Sequence, residues 1–235
     1  MNHQKGATLV MVLVILVLIT FLGTIAIRSS LVGLKISTNS QVRSLLLENS
    51  NSALFNIEDP KQIARQLARD GMFSYFSAAD NSDDELIFCY KAKESKFFKL
   101  NNASVISLDG STTKLGIPGF CKVGEFATGR PAVQSQIYVK KNKDTSTPLS
   151  ALPVGTSSGQ SNVPQAMYNI SVTVISILPS FAGASDDAIE GCFKKTSIKK
   201  DTNTQTVTEC FDDLGIPSNT QYADYIVGGS PKLKS

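Results

Sequence analysis

The chain has 235 residues and a formal charge of +3, long enough for one sizeable domain plus an anchor and too weakly basic to argue for nucleic acid as its main partner. A mean hydropathy near zero averages an uncharged apolar run, residues 7–27, with a polar remainder rich in Ser, Thr and Asn. The sole histidine, His3, sits in the first few residues, which leaves the rest of the chain without the base that Ser-His-Asp or Cys-His catalysis needs; no enzyme activity and no cofactor are expected.

The chain opens Met-Asn-His-Gln-Lys-Gly, continues through the apolar run and reaches Arg28-Ser29-Ser30. As a helix, residues 7–27 would be roughly 30 Å long, which matches the hydrocarbon core of a bilayer. Lys5 on the short side favours a cytoplasmic N-terminus and an extracytoplasmic remainder. A secretory signal would have a shorter core followed by a small-x-small cleavage site; here the run passes into Arg28 without one. An uncleaved single-pass anchor is the other competing reading.

Beyond Arg28 the helical pattern continues. Leu31, Leu34, Val42, Leu45 and Leu46 alternate with Lys35, Asn39, Gln41 and Arg43 and predict one apolar stripe for packing on a sheet; Leu54, Phe55 and Ile57 would close it. Asp59-Pro60 punctuates and starts a second helix, with Asp59 as cap, Pro60 in the first turn and an end near Gly71. Strands are predicted at residues 86–90, 97–100, 105–108, 136–140 and 168–178. In the last, Ile170, Val172, Val174 and Ser176 share one face, and Ser171, Thr173, Ile175 and Ile177 the other. One long helix followed by antiparallel strands is an α+β arrangement. Residues 141–165, rich in Ser, Thr, Gly and Pro, read as a long exposed loop and a candidate contact for a ligand or partner.

Four cysteines lie beyond the anchor: Cys89, Cys121, Cys192 and Cys210. An even count in an exported domain suggests two disulfides, with three pairings open. The sequence-local choice, Cys89–Cys121 and Cys192–Cys210, is favoured, because a hairpin turning near Asp201 would bring the second pair together. Buried free thiols are the alternative. Without CxxC spacing or a nearby histidine, no metal site is expected.

Other patterns are weaker. Ser111 with Lys114, and Ser197 with Lys200, have SxxK spacing but lack the companion motifs of acyl-enzymes. Asp201, Asn203 and Gln205 alternate as in a calcium loop, without its glycine or closing glutamate. Asp83-Asp84-Glu85 and Asp186-Asp187 read as solvated loop acids. Lys140, Lys141, Lys143, Lys194, Lys195, Lys199 and Lys200 form basic clusters that would touch phosphates if adjacent, and otherwise form a solvated face.

The short leader ending in Lys5-Gly6 directly before the apolar run resembles a type III prepilin signal. With Gly-Ala-Thr-Leu-Val at its start and Arg28-Ser29-Ser30 after it, the region resembles PilX-like minor pilins of type IV pili. The resemblance implies cleavage by a prepilin peptidase between Gly6 and Ala7, then N-methylation of Ala7. It divides the chain into a leader (1–6), a transmembrane and filament-core helix (7–27) and an extracytoplasmic pilin head (28–235). It also implies a type IV pilin fold, with the long N-terminal helix packed on an antiparallel β-sheet. The implied partners are other minor pilins, the major pilin, the prepilin peptidase and the inner membrane. The chain would span that membrane once, head in the periplasm, and then join a tip or priming complex that initiates pilus assembly.

One departure is informative. Most pilins carry a glutamate where this chain has Met11, and in the family that carboxylate pairs with the charged N-terminus of a neighbouring subunit. An acid inside a membrane is costly and normally has a task; its absence implies a subunit with no neighbour above it to neutralise, hence the tip. The anchor also lacks proline, and Gly23 is its one soft point. The alternatives are a pseudopilin of a type II secretion system and a tip adhesin or DNA-binding subunit that contacts a surface ligand or DNA.

Overall fold

The computed structural model describes residues 5–94, 98–128, 132–142, 167–181, 183–199, 201 and 203–228. Helix α1 runs from Lys5 to Glu58 over 54 residues. The chain divides into two compact units, Met1–Val42 and Arg43–Ser235, and the boundary falls inside α1.

In the first unit every residue from 9 to 41 is exposed. The apolar stretch is long and apolar enough to cross a membrane. Its two threonines keep their hydroxyls inside the helix: Thr20 donates to the Val17 carbonyl at 2.9 Å and Thr24 to that of Phe21 at 2.8 Å. Such back-bonding is what a hydroxyl needs where no water can serve it. The predicted stripe is corrected here: Leu31, Leu34 and Leu45 are exposed, and burial begins only at Leu46.

In the second unit, Leu46, Asn49, Ser50, Ala53 and Ile57 form the buried side of α1, at the spacing of one helical face. Leu54 packs partly against the core, but Phe55 is 70% exposed, so only part of the predicted closure is buried. Helix α2 (Pro60–Gln66) starts as the sequence predicts: Asp59 accepts from the Lys61 amide and Pro60 sits in the first turn. It stops at Gln66, short of Gly71, which instead caps the short α3 (Met72–Tyr75).

Strands β1 (Glu85–Cys89), β2 (Ala103–Ile106), β3 (Gln134–Lys141), β4 (Met167–Ile177) and β5 (Ser218–Gly228) form one sheet in the order β2-β1-β3-β4-β5, every pair antiparallel. The predicted alternation in β4 is borne out. Ile170, Val172 and Val174 join the core that contains Ala53 and Ile57 of α1, with Phe73, Phe76, Leu86 and Phe88. Ile175 and Ile177 join a second core on the other face. With both faces covered, every residue of β1 is buried, which is why that strand reads as a continuous run. The strand expected at 97–100 is not one: Lys99 makes an isolated bridge to Gly71, and Leu100 opens a 3-10 turn, while residue 97 lies outside the described residues.

The hairpin expected between Cys192 and Cys210 is also corrected. That segment ends one helix and begins another, α4 (Asp186–Phe193) and α5 (Val207–Asp213). The helices bring Ile189, Phe193, Val207 and Phe211 to the second core. The Phe193 and Phe211 rings meet edge to face at 5.0 Å, a favourable aromatic arrangement. The disulfides are Cys89–Cys121 and Cys192–Cys210, with Cα atoms 4.8 Å and 5.5 Å apart. The first ties the end of β1 to the long connection between β2 and β3. The second clamps α4 to α5.

Candidate functional site

Two surfaces concern function: the exposed helix of the first unit and the clamp that fixes α1 in the second. Gly6 and Ala7 lie in the first turns of α1, and Met11 is 70% exposed. The exposed side chains that follow, from Val12 to Ile27, are mostly large and apolar, a continuous apolar surface of the kind that marks a membrane or protein contact.

In the second unit the grip on α1 is partly polar. The Ser50 hydroxyl lies 3.1 Å from the Leu46 carbonyl and 2.7 Å from the Ser176 hydroxyl of β4, and Ser176 and Ser135 of β3 are linked at 2.7 Å. All three serines are fully buried. Small hydroxyls let the helix backbone approach the sheet closely while satisfying one another. The Tyr90 hydroxyl meets Ser52 at 2.9 Å and Asn56 at 3.0 Å, and Gln66 donates to the Ile57 carbonyl at 2.9 Å. Tyr225 of β5 donates to Glu58 at 2.6 Å; burial, reinforced by that carboxylate, pushes the phenol above its ordinary range. The helix end is thus fastened from β4, β5, α2 and Tyr90, just past β1. The other side of the same turns is open, where Ser44, Leu47, Glu48, Asn51 and Phe55 line a shallow hollow of about 700 Å³.

The weaker sequence patterns find ordinary occupations. Lys114 pairs with Asp84 at 2.6 Å, so it does not serve Ser111, whose amide bonds Asp109. Ser197 donates to Glu85 at 2.8 Å; Lys200 lies outside the described residues. One oxygen of Asp201 accepts from the Asn203 amide, the Thr204 amide and the Thr204 hydroxyl. These bonds hold its carboxyl below the usual range, the hydroxyl foremost, and use the loop's own donors. Among the described residues no cluster of three metal-ligating side chains occurs. Lys199 pairs with Glu209 at 2.7 Å, and the Lys141 ammonium donates to the Phe76 carbonyl at 3.4 Å. Lys194 and Lys195 line a separate hollow of about 580 Å³ with Asp109 and Asp201, which leaves mixed charge there. Lys143 and nearly all of the loop 141–165 lie outside the described residues.

Asp84 and Glu85 are not the solvated loop acids expected. Both are almost fully buried. Asp84 accepts from Lys114 and from the Tyr75 hydroxyl at 2.6 Å. Glu85 accepts from the Thr196 hydroxyl at 2.7 Å, the Ser197 amide at 3.2 Å and the Ser197 hydroxyl at 2.8 Å, so it anchors the segment after α4 to β1. The signal was their position directly before the apolar Leu-Ile-Phe, which puts Glu85 inside the strand. Asp186 and Asp187 are exposed but occupy the first turn of α4 rather than a loop, where their charge suits the helix dipole. No protein-family model, curated protein or solved structure matches the chain.

Proposed function

We propose that the chain is a PilX-like minor pilin that works by assembly, as part of the tip or priming complex of a type IV pilus. The observation that carries this reading is the continuous helix α1. One part, including residues 9–27, carries mostly apolar side chains turned to its surroundings, and the other, Arg43 onward, is built into an α+β unit held by two disulfides. A helix of this kind is stable in lipid and equally stable among similar helices, so it can pass from a membrane to a filament core without refolding. The leader ending at Gly6 supports removal of residues 1–6 and methylation of Ala7. Met11 in place of an acid supports a terminal position, because an end subunit has no following N-terminus to pair.

Two experiments test the proposal. Gly6→Val should leave the leader attached and the chain in the membrane, with filaments lost or strongly reduced; normal maturation of this variant would reject the processing step. Gold-labelled antibody against the head should decorate filament ends, and label distributed along the shafts would reject the tip position.

A further inference from the structure

We propose that the outer edge of β5 receives an extended segment of a partner protein as a sixth strand, with a lysine or arginine of that segment against Asp224. This goes beyond the assembly reading, which uses α1 alone. The two ends of the sheet differ. Strand β2 has four residues, short enough to make a poor edge, and the Gly119 backbone lies close over its pairing with β1. The Gly119 amide donates to Ser104 at 2.9 Å, and a Cβ there would fall on the Ile87 carbonyl oxygen and the Ser104 amide. Strand β5 has eleven residues, paired with β4 without a bulge from Met167↔Gly228 to Ile177↔Ser218.

The direction of its backbone groups follows from the ladder. Leu178 donates to the Pro217 carbonyl at 3.2 Å and Asn142 to that of Asn169 at 2.8 Å. Antiparallel partners alternate, so Asn219, Gln221, Ala223 and Tyr225 turn their N–H and C=O toward β4. Ser218, Thr220, Tyr222 and Asp224 turn theirs outward. Among the described residues nothing takes up these outward groups. Natural edges are blunted with charged side chains, proline, bulges or shortness; of these β5 has only the single charge of Asp224.

The complement of such a row is another extended backbone. Asp224, the one charged side chain of β5, selects among candidates. Its Oδ1 is held by the Ser171 hydroxyl at 2.6 Å and the Tyr222 hydroxyl at 2.7 Å, while no described residue bonds its Oδ2. A fixed carboxylate with one open oxygen calls for a cation. A second copy pairing β5 with β5 would bring none, since the strand contains no lysine or arginine. The occupant is therefore a different, basic strand.

The test uses the full chain in detergent micelles and the peptide Thr-Val-Thr-Val-Lys-Val-Thr-Val-Thr, followed by amide-resolved hydrogen exchange. The peptide should slow exchange at Thr220, Tyr222 and Asp224 by about tenfold or more and leave Asn219, Gln221 and Ala223 as they were. Thr220→Pro removes an outward N–H and no ladder bond, so it should melt like the parent and lower peptide affinity roughly five- to tenfold. Asp224→Asn keeps an acceptor for Ser171 and Tyr222 and should lose only the preference for lysine over threonine at the peptide centre. Absence of binding, unchanged exchange at the three outward amides, or full affinity in Thr220→Pro overturns the proposal. Concentration-dependent protection of the same amides without peptide would assign the edge to a second copy and overturn the choice of partner.

Discussion

Removing the Cys192–Cys210 bridge by changing both residues to alanine gives a quantitative check on the second unit. The cysteines are 18 positions apart, and for a loop of that size the chain-entropy relation gives about 3 kcal/mol of stabilisation through the unfolded state. Cys192 is buried beside Phe193 and Phe211, so losing its sulfur adds a packing cost of about 1 kcal/mol. All six tyrosines follow Arg43, which makes tyrosine fluorescence a reporter of this unit alone. Urea titration of the full chain in micelles should then show the midpoint lowered by roughly 1.5–2 M, for a slope of about 2 kcal/mol per molar. The corresponding change at Cys89 and Cys121, 32 positions apart, should cost roughly half a kcal/mol more in the entropic part. A loss under about 1 kcal/mol at Cys192–Cys210, or equal stability of oxidised and reduced parent chain, would refute this account of what holds α4 to α5.

Three further outcomes follow from named contacts. Lys114→Met leaves the Asp84 carboxylate, whose side chain is 3% exposed, with the Tyr75 hydroxyl; the loss should be about 1–3 kcal/mol, because the ammonium is partly in water, and adding Asp84→Asn should recover part of it in a double-mutant cycle. Glu209 lies below its ordinary carboxyl value of 4.5 through its bond to Lys199 first and the Thr206 amide second. Its contribution is complete above that value and lost as pH falls through the lower folded value, so amide protection of α5 should decline on acidification and decline less in Glu209→Gln. Leu16→Arg places a charge mid-span at a cost of about 3 kcal/mol; carbonate extraction should find more of this variant in the soluble fraction.

The sequence was most legible where one residue decides local geometry. Asp59-Pro60 specified the start of α2, and period-two alternation specified β4 and which of its residues meet α1. Two helices were missed although their caps are written in the chain. Thr206 and Glu209 form a capping box, and Ser185 caps α4 ahead of Asp186-Asp187. The expectation of a hairpin between the cysteines outweighed those signals, yet two short helices bring Cys192 and Cys210 together as well as a hairpin would. Strand β5 was missed because Asn219, Thr220, Gln221 and Asp224 give an edge strand little hydrophobic pattern. Leu31 and Leu34 misled because a helical stripe shows only that a face is apolar. It does not say whether a sheet, lipid or another helix covers it. Burial of Asp84 and Glu85 was only half legible: the following Leu-Ile-Phe marks Glu85 as part of a strand, but the partners Lys114 and Thr196-Ser197 are distant in sequence.

The account rests on an apolar helix kept whole after its polar leader is trimmed. Mass spectrometry of the mature N-terminus, on chain extracted from membranes of a producing cell, tests this most directly. The predicted result is a chain beginning at Ala7 with one added methyl group on its amine. An intact Met1, or a first residue beyond Ile27, would contradict it.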